Sequence, residues 1–182
     1  MFTYKVDEEM ELKLIELGDA EQVFELTDSS RESLRTFLRW VDGTSKPEDT
    51  KEFIQAGLRS FAENKSMTTV ILYKNEIAGV AGYHEINWTN KSVSIGYWLG
   101  QKYQGKGIML RAVRALTNYA FNRLALNRVE IRAAAENVKS RAIPEKLNFK
   151  EEGCIRQAEW LYDHYVDHVV YGMLAEEWQE KH

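Results

Sequence analysis

The chain has 182 residues, 44% of them hydrophobic and 29% charged, with a formal net charge of −4. That length suits one domain, 1–182, with a full core, and the composition excludes a disordered or fibrous chain. The acidic balance argues against a general nucleic-acid-binding surface. No apolar run reaches membrane-spanning length, and the run from Met1 to Glu8 has no signal-peptide profile. One cysteine, Cys154, can form neither an internal disulfide nor a thiolate metal site. A cytoplasmic protein with no membrane or nucleic-acid partner is the expectation.

Met10 to Leu14 alternates and predicts a first strand. Asp19, with Gln22 three residues on, predicts a capped helix start. Ser29 to Trp40 reads as a second short helix. Pro47 in a first turn with Glu48 and Asp49 opens a third, running to about Asn64. Three strands follow with short connections, Met67–Tyr73, Ile77–Ile86 and Ser92–Leu99, which predicts an antiparallel meander. A helix over 108–124 then crosses to a strand over 128–135, placing strands 92–99 and 128–135 in parallel. Asn137 to Ser140 opens a short helix from about Ser140 to Leu147, ended by Asn148. A last hairpin has arms Cys154–Leu161 and Tyr165–Leu174. The whole is an α/β (α+β) chain with a mixed central sheet.

Between strand 92–99 and the helix lies Gln104-Gly105-Lys106-Gly107-Ile108-Met109. Glycines at a strand-to-helix turn let a ligand approach the backbone, and the free first N–H groups and helix dipole favour an anion such as pyrophosphate. Leu110 stands where a dinucleotide fingerprint needs its third glycine, and no hydroxyl follows Gly105-Lys106 as a triphosphate loop requires. The run does match Q/R-x-x-G-x-G/A, with Met109 in place of the last small residue. It resembles the acyl-CoA pyrophosphate loop of the GCN5-related N-acetyltransferase (GNAT) family. Lys102, Lys106, Arg111 and Arg114 surround it, as a polyanionic cofactor would want.

Asn137-x-x-Ser140, just after the strand that follows the loop helix, extends the resemblance across about 67–174. It implies a GNAT-like mixed sheet whose parallel pair splays, helices on both faces, and a pantetheine arm lying in the gap. The cofactor core would be 67–174, and the helices of 19–64 would form the acceptor side. Ile95-Gly96-Tyr97-Trp98-Leu99 and Asn137-x-x-Ser140-Arg141-Ala142-Ile143-Pro144-Glu145-Lys146-Leu147-Asn148-Phe149 further resemble the Rim-type branch, which acetylates N-termini of ribosomal proteins. The implied activity is acetyl transfer from acetyl-CoA to a primary amine, with no metal.

The resemblance also implies the site. Gln104, Gly105, Lys106, Gly107, Ile108 and Met109 bind pyrophosphate, Trp98 or Leu99 offers a backbone N–H to the thioester carbonyl, and Asn137 and Ser140 meet the thiol end. Ser140 is the candidate acid for the departing thiolate, though it could instead cap its helix; Tyr162 or Tyr165 could substitute. Glu159, in Gln157-Ala158-Glu159-Trp160, is the candidate base, with His84 and Glu85 behind it and an exposed hairpin carboxylate as the plainer alternative. His164 and His168 would stand roughly 13 Å apart on a strand, too far to share a metal. Cys154 has no local partner to activate it. The partner is a protein N-terminus or a small amine; a non-catalytic acyl-CoA sensor is the rival class, and a homodimer is plausible from the branch.

Overall fold

The alternating runs become strands of one eight-stranded sheet, in the order β1-β2-β3-β4-β5-β6-β8-β7. These are β1 (Thr3–Lys5), β2 (Met10–Leu14), β3 (Met67–Tyr73), β4 (Glu76–Asn87), β5 (Ser92–Leu99), β6 (Arg128–Ala134), β7 (Lys150–Leu161) and β8 (His164–Leu174). The helices are α1 (Ala20–Ser29), α2 (Arg31–Arg35), α3 (Pro47–Ala62), α4 (Ile108–Asn122), α5 (Val138–Lys146) and α6 (Ala175–Lys181). The computed structural model describes residues 3–181.

Every pairing is antiparallel except that of β5 with β6. The β3–β4 hairpin turns on Lys74 and Asn75, both at positive φ (51° and 67°), the backbone that a two-residue turn needs to match strand twist. One face of the meander is covered by α1 and α3 and the other by α4. Tyr83 shows the second contact directly, since its hydroxyl, buried at the sheet, donates to the Leu116 carbonyl of α4. The core is continuous through Ile71, Val113, Leu116, Val129 and Met173.

The parallel pair is short. Only Ser92–Ser94 face Arg128–Glu130 in register, and from Ile95 onward the two strands part. Beyond the gap, β6, β8 and β7 form an arm whose two faces differ. Val129, Ile131, Val169, Tyr171 and Met173 are buried on one face. The pairings Arg132↔Val170 and Ala134↔His168 put Arg132 and His168 together on the other.

Three local expectations are corrected. Asp19 does not cap α1 with its side chain; it is buried in an ion pair with Lys13 and accepts from the Glu16 N–H at 3.0 Å. The tertiary pair outbids the local cap. The helix expected over 29–40 breaks at Ser30, whose backbone leaves the helical region and whose hydroxyl accepts from Gln101 N at 2.9 Å. After α2 the chain makes a 3-10 turn at Arg39–Gly43, held by Arg31 donating to the carbonyls of Val41 (2.7 Å) and Thr44 (2.8 Å). The helix expected from Ser140 begins two residues earlier, at Val138, because Asn137 is its cap.

Candidate active site

The glycine loop follows β5 through a 3-10 turn, Gln101–Tyr103. Gly105 (φ 76°) and Gly107 (φ 70°) both take the left-handed conformation that a side chain resists. The first amide bonded within α4 is Arg111, to Gly107 O at 3.2 Å, so the preceding N–H groups of the first turn point out of the helix end. Ile108 and Met109 send their side chains into the core, 1% and 7% exposed. The large residue at 109 therefore leaves the loop surface clear, where only its amide could meet a ligand.

Gln104 is anchored from both sides, with its Nε2 donating to Ser33 Oγ (3.3 Å) and its Oε1 accepting from Lys139 Nζ (3.2 Å). Not all four expected cations serve the loop. Arg111 turns away to pair with Asp7 at 2.7 Å, and Lys102 lies 3.6 Å from Glu76. Lys106 and Arg114 remain exposed.

Where β5 leaves β6, its outer edge is open. The Trp98 carbonyl faces β4, since it is the atom that a Cβ added at Gly79 would strike, and Gly100 N donates to Ala78 O on the same side. Strand alternation then turns the N–H groups of Tyr97 and Leu99 toward the gap. Of the two amides the sequence offered for a carbonyl, Leu99 faces it.

Beside the gap lies a cavity of about 860 Å³. Its walls come from α1, the 37–44 segment, α3, β4, β5, β6, α5 and the β7–β8 hairpin. Trp98, Asn137, Ser140 and Glu159 line it, whereas the loop 104–109 lies outside it. Asn137 accepts from the Ser140 N–H at 3.1 Å as the cap of α5. Ser140 is thus inside the helix and its hydroxyl is not the cap. That hydroxyl lies 3.4 Å from the Tyr97 hydroxyl, which itself donates to the Ser140 carbonyl at 2.9 Å. Burial drives the Tyr97 phenol well above its ordinary range, so it stays protonated.

Glu159 reaches the cavity through a bulge. Ile155 pairs with His168 and Glu159 with Val166, leaving Arg156, Gln157 and Ala158 opposite Asp167 alone. Gln157 takes a positive φ of 50° and donates its N–H to Asp167 Oδ1 at 2.7 Å. The bulge re-aims the strand, and Glu159 Oε2 comes to 3.6 Å from His168 Nε2. Across the cavity, a second bulge leaves His84 and Glu85 opposite Ser94. His84 lies over Gly96 so closely that a Cβ there would fall 1.9 Å from its Nε2. The ring lines the cavity while keeping an exposed surface, and desolvation by the surrounding walls holds its pKa down.

The remaining candidates lie elsewhere. Glu85 does not line the cavity. Tyr162 donates to Leu38 O at 2.7 Å beneath the Arg35 guanidinium, and Tyr165 meets Trp160 edge-on with ring centroids 4.8 Å apart, more than half exposed. Neither lines the cavity. Sequence reasoning missed Tyr97 and the pairing of His168 with Glu159. The strand alternation could have flagged Tyr97; nothing local announces the second. No cluster of three or more metal-binding side chains occurs among the described residues, and no helix is long and apolar enough to cross a membrane.

Residues 9–150 match the Acetyltransferase (GNAT) domain family. The chain belongs to the GNAT acetyltransferase family. As the family's sheet and loop lead one to expect, it is an N-acetyltransferase. A Bacillus subtilis protein, YdaF, is 36% identical over 98% of each chain, and its name assigns it provisionally to ribosomal N-acetylation. The Escherichia coli ribosomal-protein-serine acetyltransferase is 29% identical over 96% of this chain and 97% of its own. The solved structure of RimL, a ribosomal L7/L12 alpha-N-protein acetyltransferase in complex with coenzyme A, superposes with a TM-score of 0.93. It is 27% identical, over 97% of this chain and 99% of that one.

Proposed function

We propose that this acetyltransferase moves the acetyl group of acetyl-CoA directly to the N-terminal α-amine of a ribosomal protein. The observation that carries the reading is the opened parallel pair, with a glycine loop at one end of the gap and a cavity holding Ser140 and Glu159 at the other. The loop amides from Gln104 to Met109 would take the pyrophosphate, Lys106 adding charge. The open edge of β5 suits an extended amide arm, and Leu99 N–H suits a carbonyl whose negative charge grows during attack.

The chemistry needs no covalent enzyme intermediate. The amine nitrogen attacks the thioester carbon, the carbon–sulfur bond breaks, and Ser140 supplies a proton to the departing thiolate. Glu159 takes a proton from the amine. An α-amine loses its proton near pH 8, against about 10.4 for a lysine, so a modest base is enough. Residues 67–174 would carry the cofactor, while α1, the 37–44 segment and α3 would wall the acceptor side. As ordinary for this activity, the setting would be cytoplasmic.

The charge of the cavity bears on the acceptor. A polyamine would want an acidic cleft; here the single lining carboxylate, Glu159, is set against the Arg39 guanidinium, with Arg132 already paired to Glu130. The names of the relatives point to ribosomal proteins, and that of RimL to alpha-N-protein acetyl transfer. The test is transfer from labelled acetyl-CoA to a ribosomal-protein extract, with spermidine and a lysine peptide in parallel. Label on the N-terminus of one ribosomal protein is expected. Label on spermidine alone would discard the ribosomal assignment, and binding without transfer to any acceptor would favour a sensor.

A further inference from the structure

The arm of the sheet brings a carboxylate and an imidazole together by a route unlike an ordinary surface pair. Glu159 faces Val166 across the β7–β8 ladder, and Val166 and His168 share a face of β8. Without the three-residue bulge at 156–158, the strand would carry Glu159 away along the hairpin. With it, Oε2 and Nε2 are 3.6 Å apart, the side chains 28% and 21% exposed, both lining the acceptor cavity. We propose that Glu159 and His168 work as one proton-accepting pair, in which Glu159 takes the acceptor's proton and His168 carries it to solvent. This rests on the reading of Glu159 as base.

The pairing answers a chemical difficulty. Small-peptide carboxyl groups release their proton near pH 4 and α-ammonium groups near pH 8, so a lone carboxylate is a poor resting place for that proton. An imidazole, near pH 6.5 in small peptides, stands between them. The transfer balances as follows. The acceptor arrives as R–NH3+ and gives one proton to the Glu159 carboxylate, which passes it to His168 Nε2, and the imidazolium releases it to water. The freed amine forms the new C–N bond, the C–S bond breaks, and the second nitrogen proton compensates the one that Ser140 gives to sulfur. One proton leaves in all. The groups facing His168 are compatible with this traffic. Arg132 on β6 shares its face but is held by Glu130 at 2.6 Å. Asp167 on β8 is engaged by Gln157 N. His84 on β4 faces the same cavity, and Ala134 is the strand partner.

The test measures acetyl transfer at saturating acetyl-CoA from pH 5.5 to 9 for the His168→Gln, His168→Ala and Glu159→Gln variants. Both His168 variants should lose about tenfold in kcat on the acid side, less than the 10²–10⁴ expected for loss of a primary base, with KM for acetyl-CoA unchanged. Added imidazole should restore His168→Ala and leave Glu159→Gln crippled, a response that a structural role would not give. A wild-type pH profile in His168→Gln, or no response of His168→Ala to imidazole, overturns the pair while Glu159 stands. Full activity in Glu159→Gln overturns the reading of the base itself.

Discussion

The two ends of the site are built by opposite means. The proposed cofactor end is one unbroken run, Gln104 to Met109, whose glycines take φ of 76° and 70° between a strand and a helix. The proposed acceptor end has no contiguous sequence at all. His84, Ser140, Glu159 and His168 come from β4, α5, β7 and β8, and two sheet bulges aim two of them inward. A phosphate site can be made of backbone, so its requirements are local. Proton transfer needs side chains in specific juxtaposition, and only the tertiary structure supplies that.

The comparison breaks first at the loop. Gly107→Glu puts a side chain on a left-handed residue, a strain of about 1–2 kcal/mol, and a carboxylate where an anion should bind. Affinity for acetyl-CoA should fall by about 100-fold or more, roughly 3 kcal/mol, with the far-UV spectrum unchanged. Calorimetry giving wild-type affinity would remove the loop from the cofactor site. Next is Ser140→Ala. If its hydroxyl protonates the thiolate, kcat should drop about 10- to 100-fold while acetyl-CoA still binds. Because Asn137 already caps α5, the melting temperature should barely move. A large loss of stability with normal turnover would make Ser140 structural.

The smallest effects sharpen the acceptor end. Gly96→Ala places a Cβ into the His84 imidazole; the ring can swing away, so stability should change by only about 1 kcal/mol or less. Acceptor KM should rise while acetyl-CoA affinity holds, as steady-state kinetics would show. His84 also makes a linkage prediction. Its folded pKa lies below the ordinary value of 6.5. The unfolded chain therefore binds the proton first, and its share of stability, full above pH 6.5, declines as pH falls toward the folded pKa. His84→Gln should flatten that part of a denaturation-versus-pH curve. An NMR titration placing His84 at or above 6.5 would contradict it.

What could be read in advance followed the same division. Strand alternation and turn chemistry gave β3, β4 and β5 within a residue or so, and the parallel crossover followed from the helix between two strands. Helix 29–40 was not legible because its interruption answers to a partner 71 residues away, Ser30 accepting from Gln101 N. Asp19 looked like a cap because sequence carries no sign that Lys13 will be buried beside it. Glu159 was suggested by resemblance, but its nearness to His168 depends on a bulge of three residues that no local pattern marks. His168 is as far from His164 as strand spacing predicts, and its partner is Glu159, which no local pattern marks.

That bulge has another consequence, for solubility. β7 ends the sheet, and its residues from Lys150 to Ala158 are exposed. A long, straight edge of unpaired amides invites strands from other molecules to add on and start an aggregate. Here the ladder breaks at 156–158, and Lys150, Glu151, Glu152 and Arg156 set charges along the run. One irregularity thus aims a carboxylate inward and spoils a docking template outward. If Glu159 is the proposed base, smoothing the strand by deleting Gln157 and Ala158 would remove that base from the cavity and lengthen the unprotected edge together.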